Sequence, residues 1–133
     1  MFVEHMLNQD SAPLLEQVVK FTARRHRLIA QNIANIDTPN YRQKDLSVKG
    51  FQEMLAKVSE ARREHGAMSA RFDADEFEVE TPGKGILSHD GNNRSMEQLA
   101  TDLAKNALMH NMAIELLGKQ IQQMEMALKE RIT

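Results

Sequence analysis

The longest periodic stretch of the sequence, residues 95–132, reads SMEQLATDLAKNALMHNMAIELLGKQIQQMEMALKERI. Its apolar residues alternate between spacings of four and three, as in a helix that buries one seam against a helical partner. A helix of this length extends over roughly 55 Å. We therefore predict a long C-terminal helix with one seam, whose members are Met96, Ala100, Leu103, Ala107, His110, Ile114, Leu117, Ile121, Met124 and Leu128.

A second apolar face is predicted on the opposite side of the same helix. It consists of Leu108, Met109, Met112 and Leu116. A single helical partner cannot bury two opposite faces, and monomeric proteins seldom expose large apolar patches. The face therefore predicts contacts between subunits of a larger assembly. The alternative is that the middle of the chain folds over this face within one molecule.

The N-terminal part predicts another helix, from about Asp10 to Ile36, which would be roughly 40 Å long. Asp10 or Ser11 can cap its start, and Pro13 is tolerated in a first helical turn. At 100° per residue its apolar side chains form one broad stripe. The stripe consists of Leu14, Val18, Phe21, Leu28, Ile29, Ile33 and Ile36.

A turn is predicted where this helix ends. Pro39 has no backbone donor and restricts Thr38 to extended geometry, so the helical ladder cannot continue through them. Asn40 can take the left-handed conformation that such turns require. The chain is therefore expected to reverse direction over residues 37–40.

Three polar residues interrupt the predicted apolar stripes: Arg25 and Asn32 on the first helix and His110 on the last. A long arginine can lay its stem on a seam and keep its head in water. The alternative is that these residues set the register of the helices or pair with a partner. If Ile36 lies level with Ala100, Arg25 lies near residues 110–114, which predicts a shared polar layer with His110.

The middle of the chain gives weaker signals. A short amphipathic helix is predicted from about Ser47 to Glu64, ending near Gly66. Two short apolar fragments follow, residues 77–79 and 86–87, which indicate a loop or a weak hairpin. Residues 88–93 form a polar stretch that predicts a turn before the last helix.

The predicted fold is mainly α. An N-terminal and a C-terminal helix form an antiparallel, coiled-coil-like pair, and an irregular middle segment carries a short helix and a possible weak hairpin. Residues 1–40 and 96–133 are expected to make one structural domain, with residues 41–95 as the excursion between them. In the helix pair, the residues expected to meet are Leu14, Val18, Phe21, Leu28, Ile29 and Ile36 with Leu103, Ala107, Ile114, Leu117, Ile121, Met124 and Leu128.

Composition limits the classes of function. The 133 residues have a formal net charge of −2 and no cysteine, which excludes disulfides and thiolate chemistry and gives no global attraction for nucleic acid. The five histidines stand apart from any metal-binding pattern, and no phosphate-binding glycine loop occurs. We expect no enzyme activity, catalytic residue, cofactor, metal or small-molecule substrate.

Nucleic acid and membrane are less consistent with the sequence than protein partners. Lys20, Arg24 and Arg27 form a basic ridge that could contact phosphates, but a solvated face is the better interpretation because no recognition motif accompanies it. No stretch has the length of continuous apolar sequence that spans a bilayer. The N-terminal residues carry Glu4 and Asp10 and do not predict a cleavable signal peptide. We expect neither nucleic-acid binding nor membrane insertion.

Residues 31–41, QNIANIDTPNY, resemble the signature found near the N-terminus of the bacterial flagellar rod and hook protein family. Residues 90–93 and 106–111 resemble the pre-helix turn and C-terminal helix of proximal rod members. Asn40 stands where the family usually has glycine, and His110 where an aromatic residue is common. The residues that carry the turn signature are Asn32, Ile33, Ala34, Asn35, Asp37, Thr38, Pro39 and Tyr41.

The resemblance implies a structural subunit of the flagellar basal body, in the proximal rod. It implies export by the flagellar type III apparatus and assembly in the periplasm through the terminal helices into a helical axial structure. Expected partners are copies of the chain, other rod proteins and proteins at the junction of the MS ring and the export gate. The alternatives are another rod protein of the same family or a helical secretion chaperone or adaptor.

Overall fold

A computed structural model describes residues 11–66, 71–81 and 91–132, except the side chains of residues 91–95. Three α-helices run through these residues: α1 over Ala12–Ala34, α2 over Val48–His65 and α3 over Gly91–Ile132. A 3₁₀ turn, η1, covers Ala74–Glu76 between α2 and α3. The prediction of a mainly α fold is confirmed.

Helix α1 begins and ends close to its predicted limits. Ser11 occupies the N-cap position, but its side chain makes no capping hydrogen bond, and a proline lies in the first turn. At the other end Asn35 leaves helical geometry while its backbone N–H still donates to the Gln31 carbonyl at 3.0 Å. The helix therefore stops before Ile36, which was predicted to lie inside it. The other predicted cap, Asp10, lies outside the described residues.

Helix α2 confirms the short amphipathic helix predicted in the middle segment. The hydroxyl of Ser47 accepts a hydrogen bond from the Gly50 N–H at 3.0 Å, which satisfies a donor of the first turn. Gly66 ends the helix with φ of +94°, a conformation that side chains with a Cβ rarely take. Phe51, Leu55 and Val58 form the buried face.

The segment after α2 pairs with the chain that follows the α1 turn. Asp45 and Glu80 form an isolated antiparallel bridge, with N–O distances of 2.9 and 2.8 Å. Of the two fragments predicted to make a weak hairpin, residues 77–79 lie beside this bridge. Residues 86–87 lie outside the described residues, as do residues 88–90 of the predicted turn.

Helix α3 begins earlier than predicted. Gly91–Asn93 were expected in a turn, but they belong to the first turn of α3. Polar, turn-favouring residues do not exclude that position, because the first N–H groups of a helix have no intrahelical partner in any case. At 42 residues α3 is about 63 Å long, against about 35 Å for the 23 residues of α1.

Helices α1 and α3 pack antiparallel, with Ser11 beside Gln120 at one end and Arg25 beside Asp102 towards the other. The core lies where α1 meets α2, η1 and α3. Phe21 of α1 and Phe51 of α2 stack with their ring centroids 4.0 Å apart, and Phe77 meets both rings edge-on. The buried members of this core are Leu15, Val18, Phe21, Leu46, Phe51, Leu55, Ala74 and Ala113.

The α3 half of the predicted seam is rotated by about one residue from the observed one. Ile114, Ile121, Met124 and Leu128 are exposed, while Leu103, Ala107 and Leu117 are half-buried. The helix buries a small and partly polar row at every seventh position instead. The apolar pattern could not identify this row because only one of its members is a large apolar residue; the row is Leu99, Asn106, Ala113 and Gln120.

The α1 half of the predicted seam agrees better with the observed packing. Val18, Phe21 and Ile29 are buried, and Leu14, Leu28 and Ile36 are half-buried. The buried face also includes Leu15 and Thr22, which the predicted stripe left out. The centre of the α1 face is therefore slightly displaced from the stripe.

Candidate functional site

The turn after α1 is organised by the side chain of Asn32. Its amide Nδ2 donates to the Lys44 carbonyl at 2.7 Å, and its Oδ1 accepts from the Lys44 N–H at 2.9 Å. The Tyr41 hydroxyl also donates to the same Oδ1 at 3.2 Å. The Asn32 side chain thus pairs with both backbone groups of Lys44, as a neighbouring strand would, and holds the returning chain against α1. This buried asparagine serves the turn rather than a contact across the helix pair.

The rest of the turn is held by short-range hydrogen bonds. The Asn35 amide donates to the Gln31 carbonyl at 2.9 Å, and its Oδ1 accepts from the Thr38 hydroxyl at 3.2 Å. The Tyr41 N–H donates to the Thr38 carbonyl. Asn40 has φ of +65°, the left-handed conformation expected from the sequence. The signature residues from Asn32 to Tyr41 therefore form one hydrogen-bonded unit.

Arg25 joins three parts of the chain. Its guanidinium donates to both carboxylate oxygens of Asp45, at 2.9 and 3.2 Å, and lies 4.0 Å from the Asp102 carboxylate on α3. The arginine side chain is only 12% exposed. Such a two-pronged pair fixes direction as well as distance. Arg25 therefore ties the turn segment to both terminal helices.

The polar layer predicted between Arg25 and His110 is wrong. His110 lies beside Thr22, with Nδ1 2.8 Å from Oγ1, whereas Arg25 lies level with Asp102. The register differs from the predicted one by roughly two helical turns. Nothing local in the sequence determines which residue of α3 lies level with Ile36, so the expected alignment with Ala100 differs from the observed one.

The Thr22 hydroxyl lies between the local backbone and His110. Its Oγ1 is 2.8 and 3.1 Å from the Val18 and Val19 carbonyls and 2.8 Å from His110 Nδ1. The tautomer of His110 determines which of the two side chains donates in the contact between them. Beside it, the Asn106 amide donates to the Thr22 carbonyl at 2.8 Å. Thr22 and Asn106 are both buried.

The predicted basic ridge is only partly solvated. Arg24 donates to the Ala74 and Phe77 carbonyls, at 3.3 and 2.5 Å, and so holds η1 against α1. Lys20 lies 3.9 Å from Glu16 and 4.0 Å from Asp73. Arg27 is exposed. Because two of the three cations are occupied by protein groups, the ridge is poorly suited to binding phosphates.

The second apolar face of α3 lies mostly in solvent. Leu108 is 70% and Met112 58% exposed, and Met109 is also exposed. Leu116, expected on the same face, is half-buried and packs against the core. The observed face is therefore narrower than predicted. Its centre is Leu108 and Met112.

A groove of about 320 Å³ opens beside Met109, between α2 and α3 and above α1. Phe21, Phe51 and Leu55 contribute to its apolar lining. Its charged lining residues include Arg25 and Asp102, which already lie against each other. The groove offers a place for an apolar side chain.

Helix α3 continues beyond the point where it meets Ser11. Residues 121–132 are exposed along their whole length, including the apolar side chains of Ile121, Met124 and Leu128. These three lie on the predicted seam of α3, to one side of the row that faces α1. Among the described helices, none combines the length and apolarity needed to cross a bilayer.

Several of these residues could not have been selected from the sequence. Asn106 and Gln120 look like ordinary polar positions, because their importance comes from facing Thr22 and Ser11 far away in the chain. Asp45 carries no local signal beyond its charge. For Arg25 the available signal was its position within an apolar stripe, which indicated a partner without identifying it.

Comparison with known proteins identifies the relationship. No protein-family model matches the chain. The flagellar basal body rod protein FlgB of Salmonella typhimurium is 30% identical over 121 residues, which are 82% of this chain and 86% of that protein. FlgB of Bacillus subtilis is 28% identical over 102 residues, covering 76% and 79% of the two chains. FlgB of Aquifex aeolicus is 28% identical over 97 residues, covering 73% and 75%.

The matched regions cover most of both chains in each comparison, so the similarity is not confined to the short turn signature. The relatives come from distant bacteria and carry the same name. On this similarity, the chain belongs to the FlgB family of flagellar basal body rod proteins.

Proposed function

We propose that this protein is a structural subunit of the proximal rod of the bacterial flagellum and has no enzymatic role. It leaves the cytoplasm through the flagellar type III apparatus and assembles in the periplasm. Its partners are copies of itself, other rod proteins and proteins at the junction of the MS ring and the export gate. The FlgB name of its relatives supports the rod assignment over a secretion chaperone.

The observation that carries this proposal is the exposure of Leu108 and Met112 on the side of α3 that faces away from α1. Removing apolar surface from water is favourable by about 25 cal/mol per Å². A neighbouring subunit that covers these side chains would therefore stabilise an assembly. Met109 links the face to the groove beside α2, so a neighbour's side chain could enter there.

The mechanical role follows from how the terminal helices are tied together. In this proposal residues 1–40 and 96–133 act as one domain that transmits torque along the axis, and residues 41–95 act as a brace. The Arg25 pairing with Asp45 and Asp102 supports the brace, because it connects the returning chain to both helices. Held in this way, α1 and α3 resist sliding past each other.

The proposal is tested by making the exposed face polar in cells that lack the native gene. We expect the L108Q/M112Q variant to be produced and helical but to leave cells without a rod and non-motile. The matched control is L108M/M112L, which keeps the face apolar and should restore motility. Rod assembly is measured by electron microscopy of isolated basal bodies, and folding by circular dichroism.

Two results would contradict the proposal. Normal rods built with L108Q/M112Q would show that this face makes no essential contact. Cells that lack the gene but still build complete rods would remove the rod assignment itself. A protein that stays in the cytoplasm as a discrete dimer would instead indicate a chaperone or adaptor.

A further inference from the structure

The seam between α1 and α3 contains buried polar contacts at two levels. At one level the Gln120 amide donates to the Ser11 hydroxyl, and at the other Asn106 and His110 both meet Thr22. Ser11, Thr22, Asn106 and Gln120 are each at most 6% exposed. Buried polar groups stabilise a structure only where their partners are in place, so these contacts depend on the alignment of the two helices.

Sliding the helices by one heptad shows how strict this dependence is. The buried positions of α3 recur every seven residues, so a shift of seven preserves the general shape of the seam. After such a shift Asn106 would face Leu15 or Ile29, which are both buried aliphatic residues. Thr22 would face Leu99 or Ala113 and would lose the amide donor. Either direction leaves a buried amide among apolar side chains.

We propose that Thr22, Asn106 and His110, together with Ser11 and Gln120, form a register key for the terminal helix pair. The key selects one antiparallel alignment among several that the apolar residues alone would tolerate. An isolated polar residue in a helical seam is known to act in this way, at some cost in stability. The large apolar residues of α1 stabilise the helix pair through burial, and the polar key determines its register.

The alignment determines how far α3 extends beyond Ser11. Residues 121–132 carry the exposed apolar side chains of this extension. A slip of one heptad would move them by about 10 Å along the axis. If the chain is a rod subunit, as proposed above, such a slip would misplace every contact made by this end. That consequence rests on the proposed function, whereas the register key itself does not.

The test measures the register directly in the full chain. The chain has no cysteine, so R27C and Q123C, at two exposed positions, provide the only sites for spin labels. Their separation is measured by double electron–electron resonance, with excess unlabelled chain added to suppress distances between molecules. With Asn106 in place we expect a single distance.

Two changes to the key should alter that distance in different ways. In N106L the slipped registers no longer bury an amide, and we expect their population to rise about tenfold, with distances displaced by about 10 Å. In N106A/A113N the amide is moved by one heptad. The main distance should then shorten by about 10 Å, because residue 113 replaces residue 106 opposite Thr22.

N111L makes the same Asn-to-Leu change at an exposed position of α3 and should leave the single native distance. The proposal is overturned if N106L and N106A/A113N both keep that distance. Loss of helical content in both variants would also overturn it, because the cluster would then determine stability and not register. None of these readouts depends on rod assembly, so a failed key and a failed rod assignment are distinguishable.

Discussion

Arg25 on α1 and Asp45 in the segment after the turn form a two-pronged ion pair, with nitrogen–oxygen distances of 2.9 and 3.2 Å. The backbone of Asp45 also forms the bridge with Glu80, and the side-chain Oδ1 of Asp45 accepts from the Leu46 N–H at 2.7 Å. One carboxylate therefore connects the excursion of residues 41–81 to α1. The pair is mostly shielded from solvent, so its geometry contributes more than that of a surface pair.

Replacing Arg25 with lysine should destabilise the protein although the charge is kept. Lysine has no planar fork and cannot donate to both oxygens of Asp45 in the same way. We expect the free energy of unfolding to fall by about 1–2 kcal/mol. Urea denaturation followed by circular dichroism measures the change. The exposed residue Arg27 provides the control, since R27K should change stability by less than about 0.5 kcal/mol. Equal effects of the two variants would argue against the two-pronged pair.

Changing Asn32 to aspartate tests the clamp on the returning chain. The carboxylate keeps the acceptor for the Lys44 N–H but loses the donor to the Lys44 carbonyl, and it buries a negative charge beside that carbonyl. We expect a loss of about 2–3 kcal/mol in the free energy of unfolding. N111D places the same change at an exposed site and should have little effect. Similar unfolding midpoints for N32D and N111D would contradict the proposed role of the amide.

The helices were predictable because their signals are local. Ser47 and Gly66 lie at the ends of α2 as capping preferences indicate, and Pro39 with Asn40 lies in the turn that ends the N-terminal helical segment. The spacing of apolar residues also identified the α1 face from Val18 to Ile29. Each of these signals depends on residues within a few positions of one another, which a sequence displays directly.

The packing of α3 was less predictable because its signal is long-range. Two apolar stripes of similar strength run along this helix, and the row that meets α1 includes Asn106, Ala113 and Gln120. Choosing this row requires knowledge of Thr22 and Ser11 on the other helix. The cluster of Phe21, Phe51 and Phe77 has the same character, since its rings come from three separate elements. Apolar content indicates burial, but it does not indicate which elements meet.

Replacing Thr22 with valine separates the contact across the seam from the local one. Thr22 Oγ1 lies 2.8 Å from the carbonyl four residues earlier and also 2.8 Å from His110 Nδ1. Thr101 makes the same local hydrogen bond to the Glu97 carbonyl, at 2.9 Å, on an exposed surface. T22V should therefore cost about 1–2 kcal/mol, because His110 loses its hydrogen-bond partner, while T101V should cost less than about 0.5 kcal/mol. If the two variants lost equal stability, the seam contact would contribute nothing measurable.

The backbone at Asn40 provides a test of the turn itself. Its φ of +65° is accessible to asparagine and glycine but costs other side chains about 1–2 kcal/mol. N40A should therefore lower the free energy of unfolding by about 1 kcal/mol, whereas N40G should keep it within about 0.5 kcal/mol of the native value. The exposed side chain makes burial an unimportant factor in this comparison. Thermal unfolding of the two variants, measured side by side, distinguishes a conformational effect from a side-chain contact. If N40G were as destabilised as N40A, a contact of the Asn40 amide, and not its backbone geometry, would explain why asparagine serves in this turn.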